Sequence, residues 1–217
     1  MLKNNKSYLY QLFRDTLYYS ISKIIPGLAG LISVVLFFRL IGPEEYGKYS
    51  IIFLFTNLIA AFSFGWLNQS ILRYRSKYSS SMKILNPISL GFIIGTIPVI
   101  IFVIITSALE FPAIFSNKYI IFLALSIGFF NIVKSIFQSD ELPNKVILIT
   151  SYQSILMIIC SITILKLFES TAESLILGVS FGYLIPILPY SNFFSIKVFT
   201  KKNIKRINPF FNYGAPL

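Results

Sequence analysis

Between Lys23 and Arg39 the chain runs for fifteen residues, 24 to 38, without a charge. As a helix this piece covers only about 22 Å at ~1.5 Å per residue, short of the ~30 Å hydrocarbon core of a bilayer. A crossing built on it therefore takes in flanking residues, roughly 18 to 41, and draws one or both cations inside the membrane's edge. Those cations either snorkel to the headgroups or face a wet recess within the protein. The stretch opens with Lys23-Ile24-Ile25-Pro26-Gly27 and closes with Gly42-Pro43-Glu44-Glu45-Tyr46-Gly47.

The rest of the chain repeats the apolar theme. With 55% hydrophobic and 12% charged residues and a mean hydropathy of +0.75, the 217 residues describe an integral membrane protein. Six apolar runs of spanning length are expected at 18–41, 49–67, 87–109, 119–138, 146–168 and 174–196. Runs such as Ile97 to Ile105 do not alternate, which excludes the β-barrel solution and leaves an all-α membrane protein. Ahead of the first run, residues 1–17 place Leu9, Leu12, Phe13 and Thr16 at helical spacing among Lys3, Lys6 and Arg14, the pattern of a short amphipathic interfacial helix. Arg14 and Asp15 stand where a signal peptide needs an apolar centre.

A net charge of +11 raises nucleic acid as a partner, but the cations lie in short clusters between apolar runs, as topology signals do. Fourteen Lys and Arg fall on one side of the expected spans and four on the other, with Lys23 assigned to neither, which puts both ends of the chain in the cytoplasm. Cys160 is the one cysteine and there is no histidine, so no intrachain disulfide, cysteine cluster or imidazole base is encoded. No phosphate-binding loop of the G-x-x-x-x-G-K-[ST] type occurs. These absences argue against an enzyme, and no cofactor or metal is expected. After the basic segment 201–206, residues 213–217 begin a new apolar run, so a seventh span and a longer parent chain are expected.

Polar residues inside the runs are the candidates for ligand contact. Asn131, Lys134, Ser135 and Gln138 recur at three- and four-residue intervals and share one helix face, either a cavity wall or a helix end leaving the membrane. Asn57 with Ala60, Ala61 and Phe64 makes a similar mixed face, equally the mark of close helix packing. Lys23 is the first candidate because Pro26 and Gly27 open the helix beside it; Arg39 is either a second or an anchor at the outer interface. Gly42, Pro43 and Gly47 are expected to form the outer turn, with Tyr46, Tyr49 and Trp66 at the interface. Arg73, Arg75, Lys77 and Lys83 either attract anionic lipid or hold their loop in the cytoplasm, and Pro186 and Pro189 predict a kink in the sixth span.

Ser22-Lys23 with Pro26-Gly27, then Phe38-Arg39-Leu40-Ile41-Gly42-Pro43-Glu44-Glu45-Tyr46-Gly47-Lys48-Tyr49, then Phe64-Gly65-Trp66-Leu67 with Arg73, and finally Tyr213-Gly214-Ala215-Pro216-Leu217 resemble the polysaccharide flippase family of the MATE-like superfamily. The resemblance implies a six-helix N-lobe, the first half of a transporter of twelve to fourteen spans that works by alternating access in the bacterial cytoplasmic membrane. It implies an undecaprenyl-diphosphate-linked oligosaccharide as cargo, the lipid bilayer as surroundings, polysaccharide-assembly membrane proteins as candidate partners, and no nucleic acid. Lys23, Lys134 and Arg39 would then neutralise the diphosphate, while Asn57, Asn131 and Gln138 would hydrogen-bond sugar or phosphate. All eight acids lie at span ends or in connections, which favours an anionic cargo over the cations of a MATE-type exporter. That exporter, a membrane enzyme such as a sugar acyltransferase or polymerase, and an inactive or dimerising half-transporter are the alternatives.

Overall fold

The computed structural model describes residues 2–74, 82–108 and 117–193. The basic segment 201–206, the start of the expected seventh span at 213–217, and Arg75 and Lys77 lie outside the described residues. The elements in order are α1 (Leu2–Tyr74), α2 (Met82–Ala108), α3 (Asn117–Ser139), α4 (Pro143–Leu167) and α5 (Ala172–Leu184), the last running into a 3₁₀ segment, Ile185–Phe193. Among the described residues five helices are long and apolar enough to cross a membrane, the first of them Lys23–Tyr74.

Those 52 residues would be about 78 Å long as one rod, far more than a bilayer holds. The chain breaks at Gly42, whose φ of 79° and ψ of 169° are not helical and favour a residue without Cβ. Phe37 and Tyr49, twelve positions apart and ~18 Å along a straight helix, bring their rings to 6.2 Å, so the limbs 2–41 and 43–74 fold back beside each other. Phe38 and Tyr46 meet at 5.9 Å in the same way. Pro43 starts the second limb, where a missing N–H costs nothing, and Glu44 and Glu45 follow in its first turn. The turn is thus tighter than expected: Gly47 lies inside the helix rather than in the loop. At the other end, helix runs from Leu2 to Ile41 with no non-helical residue between the segment 1–17 and the apolar run.

Glu45 joins distant parts of the chain. Its Oε2 accepts the N–H of Ala172 at 2.8 Å, and its Oε1 lies 2.7 Å from Lys48 Nζ, which also reaches Glu44 at 3.0 Å. A carboxylate at the exposed amides of the α5 N-terminus meets the positive end of the helix dipole. Thr171 caps the same turn through its contact with Ser174 N, so the start of α5 is pinned beside the α1 turn.

Small residues let the helices approach. A Cβ on Gly178 would stand 2.4 Å from Ser161 Cα, and one on Gly182 would stand 2.4 Å from Met157 Cα. Gly178 and Gly182 form a G-x-x-x-G ridge that seats α5 directly on the backbone of α4. Phe64, 1% exposed, fills the space beside Gly95 and Gly128, locking the second limb of α1 to α2 and α3. Ala60 is buried with it, so this part of the mixed face serves packing. Several hydroxyls within the bundle return to their own helices, as Thr56 does to Ile52 O at 2.7 Å and Ser180 to Ile176 O at 2.7 Å. Leu31, Ile32, Val35, Ile101 and Ile104 point outward, an apolar surface suited to lipid.

Three expectations change. Trp66 lies 23 residues beyond Pro43, about 35 Å down the limb, so it cannot anchor the same interface as the Gly42 turn; its Nε1–H donates to Ser63 O at 2.9 Å. Tyr49 is not at an interface but 6% exposed, stacked on Phe53 at 5.6 Å. The last run is not α-helical to its end: beyond Leu184 it tightens to 3₁₀, where Pro186 and Pro189 remove two backbone donors.

In detergent micelles, Gly178→Ala is expected to lower unfolding stability by about 1–3 kcal/mol through overpacking, whereas Gly27→Ala, which meets no atom within 4 Å, produces no loss. Glu45→Ala is expected to cost about 1 kcal/mol by removing the α5 cap, and Glu44→Ala, at an 84% exposed side chain, less than about 0.5 kcal/mol. Thermal unfolding of the four variants checks both pairs.

Candidate functional site

The two limbs of α1 lie against α3, α4 and α5 with a groove between them. At one end is a cavity of about 210 Å³ lined by Lys23, Asn57, Asn131, Lys134, Thr150 and Gln153, among others. It adjoins a second of about 570 Å³ that extends toward Tyr46 and Tyr49. Pro26, Asn57, Gln153 and Tyr183 line both. From Lys23 to Phe37 the groove follows the first limb for about 21 Å.

Each side chain reaches the groove for a local reason. On α3, Ile127, Phe130, Asn131 and Lys134 follow helical spacing and form one wall, with Lys134 Nζ 6.0 Å from the Phe130 ring centre. Pro26 removes one backbone donor from the first limb, one turn from Lys23, which stands exposed at the mouth. Asn57 donates from Nδ2 to Phe53 O at 2.8 Å. Tyr183 of α5 is set edge-on to Phe130 at 5.4 Å, with its ring on the seam between the cavities.

The electrostatics have one sign. No carboxylate among the described residues lines either cavity. The charged group acting on half-buried Lys134 is Lys23, a repulsion between two ammonium groups. Burial is the larger burden on Lys134 and the exposed Lys23 adds to it, so water or an anion beside Lys134 relieves both. The arrangement can therefore hold an anion, with Asn131 as a neutral hydrogen-bonding neighbour.

Four of the six sequence candidates, Lys23, Asn57, Asn131 and Lys134, thus meet at one cavity. Arg39 is elsewhere: sixteen residues and about 24 Å along the limb from Lys23, it is exposed on an outward apolar face with Leu31, Ile32 and Val35. Gln138 lies one turn past Lys134 and outside both linings; its carbonyl receives Glu141 N–H at 3.2 Å in the turn that ends α3. Sequence reasoning passed over Thr150, Gln153, Ser154 and the placement of Tyr183 in the groove. The signal was present in Thr150-Ser151-Tyr152-Gln153-Ser154, a polar cluster inside the apolar run of α4.

The family described as "Polysaccharide biosynthesis protein" matches residues 12–217, all but the first eleven residues of the chain. No curated protein and no solved structure matches it.

A half-buried lysine with a second cation nearby and no acid beside it is a cost to folding. Without anion, Lys134→Met is therefore expected to stabilise the protein by about 1 kcal/mol, roughly 2–4 °C in Tm, while Arg39→Met stays within about 0.5 kcal/mol. Thermal unfolding in phosphate-free buffer reads both, and a drop in Tm for Lys134→Met would contradict the electrostatic account.

Proposed function

The chain belongs to the polysaccharide biosynthesis protein family, and from that premise we propose that it moves a lipid-diphosphate-linked oligosaccharide across a membrane by alternating access. The observation that carries the reading is the groove whose one end holds Lys23, Lys134 and Asn131 and has no carboxylate among its described lining. A diphosphate passing through hydrocarbon needs positive charge and hydrogen-bond donors along its path. Lys23 and Lys134 supply the charge; Asn57 and Asn131 supply amides beside it.

The flanking architecture supports the same reading. The turn at Gly42 divides the apolar stretch Lys23–Tyr74 in two, which supports six crossings in the described part, and we take these as one lobe of a MATE-like carrier. The 14-to-4 distribution of Lys and Arg supports a topology with both ends of the chain in the cytoplasm, and on this reading the membrane is a bacterial inner membrane. The cargo is an undecaprenyl-diphosphate-type lipid on its way to surface polysaccharide, polysaccharide-assembly membrane proteins are the neighbours to look for, and no bond is made or broken. A MATE-type exporter of cations fits less well, because a cation in this groove would meet lysines and no acid.

In vesicles, the protein is expected to equilibrate a fluorescent undecaprenyl-diphosphate saccharide between leaflets faster than protein-free vesicles do. Lys134→Gln is expected to slow that rate about tenfold or more, the worth of one charge-assisted hydrogen bond, whereas Lys118→Gln, an exposed lysine set over the Tyr119 ring, leaves it unchanged. Equal rates for Lys134→Gln and the unaltered protein, or transport of a cationic dye in place of the lipid, would overturn the reading.

A further inference from the structure

The wider part of the groove has a chemistry of its own. Its roughly 570 Å³ lies within the ~300–1,000 Å³ range of pockets that enclose small ligands. The wall combines the rings of Phe37, Tyr49, Phe53 and Tyr183 with the amides of Asn57 and Gln153, and no charged side chain among the described residues lines it. Tyr49 and Phe53 are stacked at 5.6 Å, which makes the aromatic wall rigid.

Gln153 is the telling residue. It is 92% buried, being 8% exposed, in the middle of α4, yet its amide has poor company. Nε2 has the sulfur of Met157 at 3.9 Å, a weak acceptor. Ser154 Oγ lies 3.4 Å from Oε1, but that hydroxyl has one proton and a better acceptor in Thr150 O at 2.9 Å. A buried amide left so weakly bonded is costly unless something else occupies its donors and acceptor. Gln153 and Tyr183 also sit where the two cavities join. A diphosphate held at Lys134 therefore presents whatever is attached to it to these two side chains.

We propose that this neutral aromatic and amide pocket binds the first sugars of the cargo and selects neutral or N-acetylated sugars over acidic ones, with Gln153 and Tyr183 as the specificity-determining contacts. A sugar ring offers apolar C–H faces to aromatic rings, while its hydroxyl or acetamido groups pair with an amide and a phenol. A uronate in the same place buries a carboxylate with no cation in the pocket wall, which is unfavourable. The groove thus orients its ligand, diphosphate toward Lys134 and glycan toward the Gly42 turn. This inference rests on the reading of the groove as a lipid-diphosphate site.

The test is equilibrium binding by the protein in nanodiscs, with three probes: undecaprenyl diphosphate, undecaprenyl-diphosphate-N-acetylglucosamine and undecaprenyl-diphosphate-glucuronic acid. The N-acetylglucosamine lipid is expected to bind about fivefold tighter than the bare lipid, a gain of about 1 kcal/mol, and the glucuronic acid lipid no tighter than the bare one. In Gln153→Leu, and independently in Tyr183→Phe should the first variant fold poorly, the ratio between the N-acetylglucosamine and bare lipids falls to about one. Equal binding of those two lipids by the unaltered protein, an unchanged ratio in both variants, or tightest binding of the glucuronic acid lipid overturns the sugar pocket alone. Failure of the unaltered protein to bind the bare lipid overturns the diphosphate site and the pocket with it.

Discussion

Lys134, half-buried in an apolar bundle, and Lys23, exposed at the mouth, line the same cavity, and no acid among the described lining residues answers them. Charge in a low-dielectric interior demands a partner. At the Gly42 turn that demand is met locally: Lys48 lies between Glu44 and Glu45, and Glu45 in turn caps α5. The charge that holds the Gly42 turn is paired, whereas the cations of the groove have no carboxylate beside them among the described lining residues. The proposed carrier role rests on this contrast.

The groove is produced by the backbone as much as by its lining. Gly42 lets α1 double back, which sets Lys23 and Pro26 of one limb near Asn57 of the other. Gly178 and Gly182 draw α5 onto α4 until only backbone separates them, so Tyr183 projects toward α1 and α3. Phe64, wedged against Gly95 and Gly128, fixes the second limb on the opposite side. Close packing at these points leaves the space between them open, and the Glu45 contact pins the groove at its Gly42 end.

Much of this was legible in the sequence. Hydropathy located the helices because an apolar run of spanning length has few other uses. The i, i+3 spacing of Asn131 and Lys134 marked a polar face that does line the cavity. Gln138 continues that spacing yet falls outside, because α3 ends just beyond it and the wall does not extend that far. Arg39 looked equivalent to Lys23 as a charge at the edge of one apolar run, but a helix separates its two ends by its full length. Trp66 and Tyr49 were misplaced for a related reason: aromatic residues read alike at a membrane interface and in a tight interior. Gln153 was passed over because the polar cluster 150–154 is contiguous and so marks no single helix face, and only the approach of α1 and α5 shows which of its members the groove takes.

The central claim is that the space beside Lys134 is wet and admits an anionic lipid head. It is tested most directly at Asn131, which lines that space while both lysines remain. In a Cys160→Ala background, Asn131→Cys in membranes should react with a charged, membrane-impermeant maleimide, and undecaprenyl diphosphate should slow the reaction where undecaprenol does not. Reaction no faster than that of Ile132→Cys, whose parent residue is fully buried, or equal protection by the alcohol, would contradict the account.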